Sequence, residues 1–115
     1  MSQNFTDEQQ LQILETKIQQ AQAQNLPVDT YVLKQIEILQ NSLDSFLEEM
    51  EENNALEDIQ TAEIEIRQYA MMRKLAQKIN APTQKYDDLI KAVKTRIFGE
   101  ENYENFFNTP HENQD

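Results

Sequence analysis

Apolar residues recur along this chain at intervals of three and four, the period that places them on one face of an α-helix. Thr6 and Gln9 have the spacing of a capping box, with Asp7 and Glu8 favourably placed against a helix dipole. Leu11, Leu14, Ile18 and Ala21 then form a seam, and Pro27 ends this helix near Asn25. Asp29 is the expected N-cap of a second helix, with Val28 and Leu33 as a hydrophobic staple around it. Its stripe of Val32, Ile36, Leu39, Leu43, Phe46 and Met50 is a heptad seam, widened by Ile38 and Leu47.

The phase breaks at Asn53-Asn54, because the next seam position would be Glu57. A new stripe runs through Leu56, Ile59, Ala62, Ile66, Tyr69, Met72, Ala76 and Ile79, with Asn54 and Glu57 at capping spacing. This predicts a turn and an antiparallel αα-hairpin. One unbroken helix through Asn54 is the alternative. Pro82 closes the third helix, and a fourth follows over 83–98 with Tyr86, Leu89, Ile90, Val93 and Ile97 on one face and Gly99 as C′ residue. Residues 100–107 can add a short helix with Tyr103, Phe106 and Phe107 on one side, and 108–115 reads as a disordered tail. The fold expected is all-α: a small antiparallel bundle on a long αα-hairpin, four main helices and a short C-terminal one, in a single domain over 1–107. No internal repeat is obvious.

Composition agrees with this. The 115 residues include one Gly and three Pro, too few turn formers for a sheet protein. No Cys is present, so disulfides, thiolate chemistry and Cys-based metal sites are excluded. No long apolar run and no signal-like N-terminus is seen, so the chain is expected in the cytoplasm of the cell that makes it, with no membrane as a partner.

Charge sharpens the picture. The net charge is −11, and residues 35–66 hold ten acids and no Lys or Arg, whereas 67–98 hold eight bases and only Asp87 and Asp88 as acids. Such an acidic chain is repelled by nucleic acid, which argues against direct binding through Lys85, Lys91, Lys94 and Arg96. The acidic stretch can instead imitate nucleic acid and occupy a basic groove on another protein.

Chemistry has little to work with. The one histidine, His111, lies in the expected tail, which removes nucleophile triads and the Glu-x-x-His sites of di-metal bundles. Gly99 is the single glycine, so no phosphate-cradling loop exists. Glu48, Glu49, Glu51 and Glu52 fan around a helix end rather than converging on a cation, and they sit where the dipole disfavours them. That cost points to a contact surface or to relief by a basic neighbour. Glu63 and Glu65 lie on different sides of their helix, and Met71-Met72 reads as core filling. No enzyme, cofactor or metal is expected.

The stretch LIKAVKTRIFGEENYENFF over 89–107 resembles the C-terminal part of small phage tail assembly chaperones, where an amphipathic helix ending in Gly-Glu-Glu precedes a short aromatic helix. The matching residues are Phe98, Gly99, Glu100, Glu101, Tyr103, Phe106 and Phe107, and the match covers under a fifth of the chain. Those chaperones often carry a β-rich N-terminal portion, which has no counterpart here. The resemblance implies an assembly role with the aromatic helix touching a tail protein. The expectation is a non-enzymatic protein-binding module of assembly, scaffolding or adaptor type. Its candidate contacts are Tyr103, Phe106 and Phe107 or the acids Glu48, Glu49, Glu51 and Glu52. The second-helix seam is expected to form core or a homo-oligomer interface.

Overall fold

The computed structural model describes residues 5–99. Four α-helices follow one another: α1 (Asp7–Ala23), α2 (Asp29–Glu52), α3 (Ile59–Lys78) and α4 (Gln84–Phe98). The chain is an all-α bundle, and α2 and α3 are separate helices joined by a turn. The expected fifth helix and tail, and with them Tyr103, Phe106, Phe107 and His111, lie outside the described residues.

The three connections share one device. Asn25, Asn54 and Asn80 each adopt left-handed backbone, with φ of 60°, 59° and 59°. At each, the following residue's N–H reaches back to close the helix end: Leu26 to the Ala21 carbonyl (2.8 Å), Ala55 to Met50 (2.7 Å) and Ala81 to Ala76 (2.8 Å). These are Schellman closures, which satisfy carbonyls that a helix end leaves without partners. Asparagine tolerates this conformation better than any other non-glycine residue, so three Asn stand where glycines would normally be found. The capping role expected for Asn54 is therefore corrected: it ends α2 instead of starting α3, whose N-cap is Asp58.

Helix starts follow the sequence unevenly. At α1, Thr6 Oγ1 accepts from the Gln9 N–H (3.1 Å), and the Gln9 side chain accepts from the Thr6 N–H (2.9 Å), a complete capping box. At α2 the N-cap is Val28 without a side-chain cap, and Asp29 is the first helical residue. One turn in from Val28, the inward position belongs to Val32, fully buried, and Leu33 turns outward, 54% exposed.

Only the backbones of consecutive helices approach closely among the described residues. Ion pairs between α3 and α4 fix their register: Arg73 with Asp87 (2.7 Å) and Arg96 with Glu65 (3.0 Å). As the partner on α3 moves forward, the partner on α4 moves back, which is the mark of an antiparallel pair. The slab measures 47 × 39 × 20 Å, and its radius of gyration of 17.0 Å exceeds the roughly 13 Å of a compact domain of this size. Its core combines Leu39 and Leu43 of α2 with Ala62, Tyr69, Met72 and Ala76 of α3 and Tyr86 and Val93 of α4. Ile18 and Val32, both fully buried, join α1 to α2.

Candidate functional site

Of the second-helix seam, Val32, Leu39 and Leu43 are buried, while Ile36, Phe46 and Met50 are half-buried; Ile36 and Phe46 pack against the core. The chain's own helices thus cover much of the seam. Glu48, Glu49, Glu51 and Glu52 are all exposed. Glu48 and Glu51 border a shallow depression with Asp44, Leu47, Leu56, Glu65 and Arg96, so a basic residue of α4 stands among these acids. No group of three or more carboxylates or histidines among the described residues is arranged to hold a metal ion.

Glu65, which apolar periodicity passes over, is 4% exposed. Its Oε1 accepts from Arg96 Nη2 at 3.0 Å, and its Oε2 accepts from the Tyr69 hydroxyl at 3.2 Å. Burial, the Glu65 charge and the hydrogen bond to Glu65 push the Tyr69 phenol up to about 12, with Asp44 adding and Arg96 opposing. Glu63 is exposed, so the two glutamates do face different sides. The knot ties α3 to α4 and is structural in its geometry, since every group in it already has a partner inside the chain.

A different feature is open. Between α1 and α3, with α2 as floor, runs a groove of about 630 Å³. Glu8, Leu11, Gln12 and Glu15 form the α1 wall, Met71, Lys74, Leu75 and Lys78 the α3 wall, and Gln35 and Leu39 the floor. Both walls present the i, i+3, i+4, i+7 positions of their helix, a strip two turns long. Because α4 packs on α3 and not across from α2, no described helix closes the gap.

Met71 corrects the sequence expectation. Met72 is core and fully buried, but Met71 is 46% exposed and lies in the groove. Neighbouring positions on a helix point about 100° apart, so Met72 faces the core while Met71 faces the gap that no described helix covers. On the floor, Gln35 is 5% exposed; its Nε2 donates to Glu15 Oε1 at a long 3.4 Å, and its Oε1 is buried without a partner. A buried carbonyl left without a donor costs about 1–3 kcal/mol. The signal in the sequence was a polar residue one helical turn from Leu39 on the buried face of α2.

The fold and groove together define an all-α antiparallel bundle with an open apolar channel. No family model, no curated protein and no solved structure matches the chain. No described helix is long and apolar enough to cross a membrane.

Proposed function

We propose that the protein is a non-enzymatic docking module, of assembly, scaffolding or adaptor type, that receives a protein partner in the groove between α1 and α3. The observation that supports this is Met71: a large, adaptable apolar side chain held 46% exposed among Leu11, Leu39 and Leu75. Exposed thioethers in an apolar channel suit protein recognition, since methionine repacks at low cost. The resemblance of residues 89–107 to phage tail assembly chaperones agrees with an assembly role. The nucleic-acid mimic is the weaker reading, because Arg96 interrupts the acids of α2 at Asp44, Glu48 and Glu51.

Co-purification of the tagged full chain from its source cells tests the reading, with Met71→Lys and Leu33→Lys compared. Both side chains are exposed, so neither change disturbs the core. A stoichiometric partner that survives high salt, is lost from Met71→Lys and stays with Leu33→Lys is the expected result. Retention of every partner by Met71→Lys removes the groove from the account. A partner released from the unaltered chain by salt makes the acidic surface the contact instead.

A further inference from the structure

The walls of the groove carry opposite charge. Glu8 and Glu15 stand on the α1 side, Lys74 and Lys78 on the α3 side, and no ion pair crosses the gap. We propose that the groove's occupant is an amphipathic α-helix of another protein, its apolar stripe flanked by basic residues toward α1 and acidic residues toward α3. This rests on the docking function above and specifies its partner.

Three observations carry it. The first is backbone chemistry. An extended peptide laid in this groove would bury N–H and C=O groups against side chains of helices whose own backbone groups are already paired, with no sheet edge among the described residues to add to. A helix satisfies its own backbone and needs only an apolar face. The second is dimension. Each wall strip spans eight residues, about 10 Å at helical rise, so a guest of two to three turns can match it with apolar residues at i, i+3, i+4 and i+7. The third is charge: Glu8 and Glu15 on the α1 wall favour basic residues on one flank of the guest, and Lys74 and Lys78 on the α3 wall favour acidic residues on the other.

Occupants from this chain fit less well. Outside the groove, the exposed large apolar residues of the described helices are Ile13 on α1, Leu33 on α2, Ile59 and Ile64 on α3 and Leu89 on α4. None of these helices offers an exposed two-turn apolar stripe for a second copy to insert. The chain's own Tyr103, Phe106 and Phe107 have suitable spacing, but residues 97–115 include Glu100, Glu101 and Glu104 and no Lys or Arg. That segment complements Lys74 and Lys78 and is repelled by Glu8 and Glu15.

The test uses the full chain, labelled at its methyl groups, with three designed helical peptides that share one Leu/Met stripe. One carries Lys on one flank and Glu on the other, one carries Glu on both, and one Lys on both. The mixed peptide is expected to shift the methyls of Leu11, Leu39, Met71 and Leu75 and to bind about tenfold tighter than either uniform peptide. Lys74→Glu with Lys78→Glu makes both walls acidic and should transfer the preference to the all-Lys peptide. Equal affinities for the three peptides, shifts away from the groove, or no shifts at all overturn the proposal. So does movement of the groove methyls on Phe106→Ala with Phe107→Ala in the peptide-free chain, which would make the occupant its own C-terminal segment. Loss of the cellular partner from Met71→Lys alongside indifferent peptides sinks the helix assignment and leaves the docking function standing. Retention by Met71→Lys sinks both.

Discussion

Substituting Arg96 with Met probes how α4 is held on α3. The Glu65 carboxylate is 4% exposed and has two donors, Arg96 at 3.0 Å and Tyr69 at 3.2 Å. Arg96→Met removes a charge-assisted hydrogen bond, about 1.5–3 kcal/mol, and strands a carboxylate away from water with the phenol alone. Breaking a fully buried ion pair costs about 3–5 kcal/mol. The Arg96 side chain is 40% exposed, so this pair is wetter than that limit and the expected loss is about 2–3 kcal/mol. Glu65→Gln keeps an acceptor for Arg96 and removes the charge, costing about 1 kcal/mol by the smaller value of a neutral bond. Once Arg96 is gone, however, Glu65→Gln removes a charge with no counterion. Adding it to Arg96→Met should then cost nothing or restore stability. Urea unfolding of the two single variants and the double, followed by circular dichroism near neutral pH, gives the coupling. The expected coupling is at least about 1 kcal/mol. Additivity within about 0.5 kcal/mol, the value for independent sites, would show that the knot does not hold α4.

Two further predictions concern the turns and the buried phenol. Asn54→Gly should be neutral or slightly stabilising, while Asn54→Ala should cost about 1 kcal/mol, because only the β-carbon objects to φ of 59°; equal effects in urea unfolding would refute the left-handed closure. Tyr69 has a folded pKa near 12 against an ordinary 10.0, so the fold favours its protonated form. That stability is fully present below pH 10 and is lost as pH rises from 10 towards 12. Comparison of unfolding against pH with Tyr69→Phe, which should flatten this part of the profile, checks the sign.

Much of the helical architecture was legible because burial imposes its period on apolar residues. The seams of α1 to α4, the break at Asn53-Asn54 and the stop before Pro82 all follow from that period and from proline sterics. Two kinds of feature escaped it. Gln35 and Glu65 are polar residues on buried faces, and a stripe read from apolar residues alone skips them. The groove escaped for a different reason. Periodicity says that a face is buried but not which helix covers it, and the groove exists because α4 packs beside α3 instead of closing over α1 and α3. Met71 departs from the core expectation for the same cause: its exposure depends on a neighbour that is elsewhere. Asn54 ends α2 where its spacing to Glu57 suggests the start of α3, since asparagine serves both as N-cap and as left-handed C′ residue, and spacing alone does not separate the two.

The most direct test of the docking function is photo-crosslinking in the source cells from a reactive side chain installed at position 71, compared with one at position 33. Both positions are exposed, 46% and 54%, so accessibility does not distinguish them. A discrete adduct between this chain and one other protein from position 71, absent from position 33, is the predicted result. No adduct from position 71, or the same adducts from both positions, would contradict the groove as a site of protein recognition.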